Sequence, residues 1–202
     1  MSRRFSAADP AAPAFVLAHG AGAGHTHPWM VRVAEGLAAR GVHVVTFDFP
    51  YKEHGRSVPD PAAVLERAFA EVWAGAGARV AGGKSMGGRI ASQVAAKGEL
   101  TPPPAGLVYF GYPLHPPGKP AQRRDRHLGD ITAPMLFLHG TRDPFGSPDE
   151  MRELVAALGP RATLELIDGG DHSLVSPKRQ DPKGQSLEHA MDVAAGWIKE
   201  TR

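Results

Sequence analysis

Three polar residues of this 202-residue chain have the types and the order along the sequence that nucleophilic catalysis requires. Ser85 lies in a G-x-S-x-G pattern, and Asp143 and His172 each follow a later apolar run. A serine hydroxyl is a weak nucleophile near neutral pH, so a neutral imidazole must accept its proton and a carboxylate must hold that imidazole in the right tautomer. The sequence therefore predicts Ser85 as nucleophile, His172 as base and Asp143 as the group that orients the base.

The residues around Ser85 have the pattern of a sharp turn between a strand and a helix. A short apolar run precedes the serine, and apolar residues at helical spacing follow it. A Cβ atom two positions to either side would collide with neighbouring backbone, and Gly83 and Gly87 avoid this collision. The turn sets the Met86 N–H at a helix N-terminus, where negative charge is favoured. We therefore predict Met86 as one donor of an oxyanion hole.

The glycine-rich segment 19–25, with the sequence HGAGAGH, follows the first predicted parallel strand and is the candidate for the second donor. Small residues let backbone N–H groups approach a substrate oxygen closely, and we predict Ala21, with Gly22 as the alternative. The spacing fits neither a dinucleotide loop nor a P-loop. His25 and His27 have no acidic or histidine partners at metal-binding spacing, so we expect no metal and no cofactor.

Two other carboxylates compete with Asp143 for the imidazole. Asp171 directly precedes His172, and Asp168 ends the preceding strand. A residue one position away usually points its side chain elsewhere, whereas an aspartate in the loop after the adjacent strand can reach Nδ1. Asp143 is therefore the preferred partner.

The substrate pocket is predicted from residues near the ends of strands, although aromatic residues at such positions are equally common in cores. The candidates are Gly22, Trp29, Tyr112 and Phe145. Arg123, Arg124 and Arg126 form a small basic cluster, for which a solvated loop face is favoured over binding of an acidic substrate.

The composition limits the classes of protein that the chain can belong to. A hydrophobic content of 42% in 202 residues is enough for one well-buried domain. The absence of cysteine excludes disulfides, thiolate metal sites and a cysteine nucleophile. The net charge of +2 comes from largely scattered basic residues, so nucleic acid is not an expected partner.

Short apolar runs alternate with segments of helical period along the chain. Runs that are apolar throughout are typical of strands buried on both faces, which indicates a parallel sheet between helices. The predicted class is α/β, a doubly wound, mostly parallel sheet of about six strands with helices on both faces. The strands are predicted at 14–18, 42–48, 79–82, 106–110, 134–139 and 162–167.

The N-terminal residues 1–13 are predicted to be a flexible tail before a domain spanning 14–202. Met1-Ser2-Arg3-Arg4-Phe5 weakly suggests a twin-arginine signal, but Asp9 and two prolines interrupt any apolar core, and the run 15–18 is too short to span a membrane. We therefore expect a cytoplasmic protein without a membrane partner. The proline-rich segment between the strands ending at 110 and starting at 134 is either a ligand-binding excursion or an ordinary connector.

Taken together, residues 17–20, 83–87, 140–143 and 171–172 make the chain resemble proteins of the α/β-hydrolase fold over nearly its whole length. It is most similar to small lidless bacterial hydrolases akin to the dienelactone-hydrolase-like branch, and it resembles the hydrolase-like domain of a eukaryotic chromatin-complex subunit. Compared with the wider fold, the chain is predicted to lack the first two antiparallel strands and a helical lid. Dienelactone hydrolases use a cysteine nucleophile, so their substrate does not transfer to a chain with Ser85.

The resemblance and the residues together predict a serine hydrolase that cleaves small ester or thioester bonds through an acyl-enzyme on Ser85. The expected partner is a small-molecule acyl substrate, and the sequence predicts no oligomeric state. A non-catalytic binding module of the same fold and an acyltransferase are the alternatives.

Overall fold

The computed structural model describes residues 2–201, and within them seven strands form one sheet in the order β1-β3-β2-β4-β5-β6-β7. β1 pairs antiparallel with β3, and the other neighbouring strands are parallel. This confirms the doubly wound α/β class, with seven strands where about six were predicted. The strands are β1 (Ser2–Phe5), β2 (Ala14–Ala18), β3 (His43–Phe47), β4 (Val80–Lys84), β5 (Gly106–Phe110), β6 (Met135–Gly140) and β7 (Ala162–Ile167).

Helices cover both faces of the sheet, because alternate residues of the central strands are apolar on either side. In β2, Phe15 and Leu17 join one core, and Val16 and Ala18 join the other. Helices α1 and α6 pack on the first core, and α3, α4 and α5 pack on the second. The helices are α1 (Pro28–Ala39), α2 (Pro50–Glu53), α3 (Ala62–Ala76), α4 (Met86–Ala96), α5 (Pro148–Leu158) and α6 (Gln185–Glu200).

The helix starts follow the local sequence signals. Pro28 is the first residue of α1, where its missing N–H costs no helical hydrogen bond. Ser147 and Glu150 form the reciprocal capping box that the S-x-x-E spacing predicts at the start of α5. The segment 111–134, between β5 and β6, contains a single 3-10 helix, Arg126–Asp130, and no inserted lid among these described residues.

The prediction of a flexible tail over residues 1–13 is corrected by β1, although residue 1 itself lies outside the described residues. Ser2–Phe5 pairs with the edge of β3, and Phe5 is buried against the core on the α1 side. The Ala7 N–H donates a hydrogen bond to Nδ1 of His43 at 3.0 Å. The segment is ordered by these long-range contacts, and its arginines lie at a sheet edge, where charge discourages pairing with another chain.

Parallel strands bring the functional candidates to one end of the sheet. The loop 19–25 follows β2, Ser85 follows β4, and Asp143 and His172 lie beyond β6 and β7. The carboxyl ends of these four strands lie at the same end of the sheet, which is where open parallel sheets bind ligands.

Candidate active site

Ser85 lies between β4 and α4 in a backbone conformation that residues with a Cβ rarely adopt. Its φ is 50° and its ψ is −117°, and its N–H donates a hydrogen bond to the Phe110 carbonyl at 3.1 Å. Such a conformation costs on the order of 1–3 kcal/mol and persists only where the surrounding structure enforces it. The strain presents the Oγ atom above the end of the sheet.

The two glycines that flank the serine are required by the end of β2. A Cβ atom on Gly83 would lie 2.5 Å from the Ala18 carbonyl oxygen, and one on Gly87 would also overlap this carbonyl group. Both contacts are with backbone, which cannot move without disturbing the sheet. The tight turn predicted from G-x-S-x-G is therefore present, for the steric reason given by the sequence.

A continuous hydrogen-bonded chain connects the three residues that the sequence singled out. The Ser85 hydroxyl lies 2.8 Å from Nε2 of His172, and Nδ1 of His172 lies 2.7 Å from Oδ2 of Asp143. A carboxylate only accepts hydrogen bonds, so Nδ1 carries the proton and Nε2 is free to accept one from the serine. The arrangement can remove a proton from the serine hydroxyl and stabilise the resulting imidazolium.

Asp143 is buried, and its surroundings keep it ionised. Burial alone would raise its pKa, but the hydrogen bond from His172, the nearby histidine charges and the Phe145 N–H outweigh this effect and lower the pKa. Asp171 instead accepts hydrogen bonds from the N–H groups of Ser173 and Val175, so it shapes its own turn.

The imidazole of His172 is packed against Phe145 on one face and lies close to the backbone of Gly111. The ring of Phe145 stacks on it with a centroid separation of 4.2 Å and an interplanar angle of 30°. On another side, a Cβ on Gly111 would lie 2.6 Å from the His172 carbonyl oxygen, and Gly111 has a φ of +66°. Close packing of this kind restricts the rotamer of the histidine.

Lys84 contributes a contact that sequence reasoning missed. It is buried, and its ammonium group donates a hydrogen bond of 2.6 Å to the main-chain oxygen of His172. Burial lowers the pKa of Lys84 to about 8, although the negative charges of Asp143 and Asp171 act in the opposite direction. Lys84 occupies the first variable position of G-x-S-x-G, and nothing in the sequence indicated that its side chain would reach the loop that carries His172.

Two backbone N–H groups near Ser85, those of Ala21 and Met86, have no hydrogen-bond acceptor in the described chain. Ala21 belongs to the loop after β2, and Met86 is the first residue of α4. Unpaired N–H groups of this kind can stabilise a developing oxyanion.

The loop that carries Ala21 is held by the side chains of His19 and Tyr51. Nδ1 of His19 donates to the Gly20 carbonyl at 2.8 Å, and its Nε2 accepts the Phe49 N–H at 3.1 Å. The Tyr51 hydroxyl donates to the Ala21 carbonyl at 2.8 Å. Burial lowers the pKa of His19, which favours the neutral form that these two opposite hydrogen bonds require.

Asp48 completes this support, and sequence reasoning missed it too. Its two carboxylate oxygens each lie 2.7 Å from a nitrogen of His25, one on the backbone and one on the ring. Asp48 directly follows β3, so the rule that polar residues after parallel strands line the site could have found it.

A cavity of about 400 Å³ opens beside the hydrogen-bonded chain. Gly22, Trp29 and Phe145 line it. Tyr112 does not: it is buried, packs between the rings of Tyr109 and Phe137, and donates its hydroxyl to the Arg124 carbonyl at 2.8 Å. The prediction for Tyr112 is corrected because the end of β5 turns this side chain into the core.

Comparison with known families identifies the family to which the chain belongs. The family described as the alpha/beta hydrolase domain matches residues 11–199, nearly the whole chain. The chain is a member of this alpha/beta hydrolase family. No group of three or more metal-ligating side chains occurs in the described part of this alpha/beta hydrolase, and no helix there is long and apolar enough to cross a membrane.

Solved structures share the fold of this alpha/beta hydrolase at low sequence identity. A dienelactone hydrolase from Anabaena variabilis is 19% identical with a TM-score of 0.74, covering 98% of this chain and 89% of that chain. An esterase domain from Rhodothermus marinus is 16% identical with a TM-score of 0.71, covering 98% and 91%. A serine hydrolase without a lid from Xanthomonas campestris is 16% identical with a TM-score of 0.68, covering 100% and 90%.

Proposed function

We propose that the protein is a serine hydrolase that cleaves small ester or thioester bonds through an acyl-enzyme on Ser85. The observation that carries the proposal is the hydrogen-bonded chain from the Ser85 hydroxyl through His172 to Asp143, at 2.8 Å and 2.7 Å. Membership of the alpha/beta hydrolase family supports hydrolytic chemistry.

In the first half of the proposed reaction, the Ser85 oxygen attacks the acyl carbonyl carbon and its proton passes to Nε2 of His172. The carbonyl oxygen becomes an oxyanion that accepts hydrogen bonds from the N–H groups of Ala21 and Met86. Collapse of this intermediate breaks the ester or thioester bond. The leaving alcohol or thiol takes the proton from Nε2.

In the second half, water attacks the acyl-enzyme and gives its proton to Nε2 of His172. The oxyanion forms in the same place, and its collapse returns the proton to Ser85 and releases the acid. Asp143 remains ionised throughout and stabilises the imidazolium, consistent with the lowered pKa of this carboxyl.

The location of the leaving group follows from the proton transfer. A group that receives its proton from Nε2 must lie next to His172, and the 400 Å³ cavity is lined by His172, Trp29 and Ser173. The cavity is open to solvent and fits a small alcohol or thiol. We propose a small-molecule acyl compound as the substrate and the cytoplasm as the site of the activity, as the sequence predicts.

The decisive experiment compares Ser85→Ala with the native protein on phenyl acetate and with a fluorophosphonate probe. We expect kcat to fall by on the order of 10⁶ and labelling to disappear in Ser85→Ala. Ser6→Ala is the matched control, because Ser6 is exposed and lines no cavity beside Ser85. Folded native protein that neither hydrolyses the ester nor takes up the probe would support a binding module instead, and acyl transfer to an added alcohol in preference to water would support an acyltransferase.

A further inference from the structure

A second cavity, of about 310 Å³, lies on the other side of Ser85. It shares Ala21, Ser85 and Phe145 with the first cavity, but its lining includes Met86 and not His172. The two parts of a substrate on either side of a carbonyl bound at Ser85 would therefore enter two different cavities. One contains the base, and the other lies beyond the unpaired Met86 N–H.

Arg89 gives the second cavity its chemical character. It lies one helical turn after Ser85, and its N–H donates to the Ser85 carbonyl at 3.1 Å. Its Nε is buried without a hydrogen-bond partner in the described chain, and its guanidinium makes one long contact, 3.3 Å, with Gln93. Arg89 and Arg124 both line this cavity, and burial and the charge of Arg124 both lower the pKa of Arg89.

Arg124 enters the same cavity from the proline-rich segment between β5 and β6. Its backbone is fixed on both sides, because its N–H donates to the Leu114 carbonyl at 2.8 Å and its carbonyl accepts the Tyr112 hydroxyl at 2.8 Å. Its guanidinium forms no ion pair within residues 2–201. The neighbouring Arg123, by contrast, pairs with Asp125.

The nearby carboxylates do not neutralise these two arginines. Asp60 also lines the cavity; its Oδ1 is paired with Arg56 at 2.7 Å, and its Oδ2 is buried without a hydrogen-bond partner in the described chain. Glu66, whose charge acts on Arg89, is bound by Lys97. The second cavity therefore holds two guanidinium groups without a carboxylate partner of their own.

We propose that this cavity binds a negatively charged group on the acyl part of the substrate, so that the enzyme prefers monoesters or monothioesters of dicarboxylic acids. The inference rests on the proposed function: the leaving group must lie beside His172, which leaves the second cavity for the acyl chain. A guanidinium matches the geometry of a carboxylate and is the usual partner where such a group must be recognised. Tyr112 acts in this site as a positioning residue, through the backbone of Arg124.

The test uses phenyl monoesters of straight-chain dicarboxylic acids, from succinate to suberate, each paired with the terminal amide of the same length. For the best chain length we expect kcat/KM for the acid to exceed that for the amide by about 10- to 100-fold, the range for a charge-assisted hydrogen bond. The ratio should fall as salt is added, because the cavity is open to solvent. Equal rates for acid and amide at every length would overturn the proposal.

The variants Arg89→Gln and Arg124→Gln should each bring the ratio of acid to amide rates close to one. Arg126→Gln is the matched control from the same segment: Arg126 is exposed and does not line the cavity, so the ratio should stay at its native value. If an arginine variant does not fold, the salt dependence of the acid-to-amide ratio in the native protein still tests the proposal. A ratio that does not change with salt would contradict it. A native ratio retained in both folded variants would contradict the assignment to these arginines.

Binding to Ser85→Ala separates this inference from the proposed hydrolysis. Calorimetry with the monophenyl ester of adipate and with its amide should show tighter binding of the acid by a similar factor, and Arg124→Gln added to Ser85→Ala should remove the difference. Selective binding without any turnover by the native protein would count against the hydrolase and for the anion site. Turnover of neutral esters without selective binding of the acid would support the hydrolase and count against the anion site.

Discussion

The ammonium group of Lys84 lies 2.6 Å from the main-chain oxygen of His172, so the residue before the serine holds the loop that carries the imidazole. The two residues are 88 positions apart in the sequence. Because the serine is fixed by the turn, this contact helps to hold the histidine loop at the right distance for the proton transfer in the proposed reaction.

Replacing Lys84 with methionine should lower kcat about tenfold and leave KM for phenyl acetate almost unchanged. The variant loses one charge-assisted hydrogen bond that orients the histidine loop, worth about 1.5 kcal/mol. Steady-state kinetics measure the effect, with Lys119→Met as a control, since Lys119 is exposed and lines neither cavity. An unchanged kcat in Lys84→Met would show that the loop keeps its position without the lysine.

Burial of Lys84 should also make stability rise with pH between about 8 and 10. The pKa of this lysine is lowered from its ordinary 10.5 to about 8, so above pH 8 the unfolded chain binds more protons than the folded one. The free energy of unfolding should then increase by about 2 kcal/mol over this interval. Urea denaturation at a series of pH values measures the rise.

Lys84→Met should show no such rise, which separates the lysine from other groups. The buried tyrosines act in the opposite direction above pH 10, because burial raises their pKa and the folded state then holds its protons longer. A native protein whose stability falls steadily from pH 8 to pH 10 would rule out the buried, charged state of Lys84.

Asp143→Asn should lower kcat by about 10⁴ with little change in global fold. The amide can hold the imidazole in the wrong tautomer, with Nε2 protonated and unable to accept the serine proton. Asp171→Asn is the matched control, since Asp171 accepts only from N–H groups of its own turn. We expect the control to stay within about tenfold of the native kcat; equal losses in both variants would refute Asp143 as the specific partner.

Gly83→Ala should destabilise the protein by about 3 kcal/mol or prevent folding, because the new methyl group would lie 2.5 Å from the Ala18 carbonyl oxygen. Gly75→Ala is a contrasting control within α3. No atom lies within 4 Å of a Cβ at that position, so alanine should stabilise the helix by about 0.5–1 kcal/mol. Thermal or urea unfolding of the two variants should give changes of opposite sign.

The parallel strands could be predicted from the sequence to within two residues. Five of the six are buried along their whole length, and only β7, at the edge of the sheet, is partly exposed. The serine, aspartate and histidine were found because their order and their positions after strands follow from the topology. β1 was not found, because Ser-Arg-Arg-Phe contains one apolar residue and becomes a strand through pairing with β3.

The contacts that support the site were beyond local sequence reasoning. Lys84 meets His172, and Tyr51 meets Ala21, across distances along the chain that no spacing rule connects. Tyr112 was assigned to the pocket because it follows a strand. This position correctly predicts the end of the sheet where the residue lies, but it does not predict the direction of the side chain. Arg124 was interpreted as a solvated loop residue because the fold of the proline-rich segment depends on the same long-range contacts.

The four residues of β1 cover backbone groups of β3 that would otherwise face solvent. A truncation or mutation that detaches β1 does not alter the serine, histidine or aspartate. It exposes the edge of β3, which can then pair with a second molecule. Loss of β1 should therefore cause aggregation first, and the protein that remains monomeric should keep its activity.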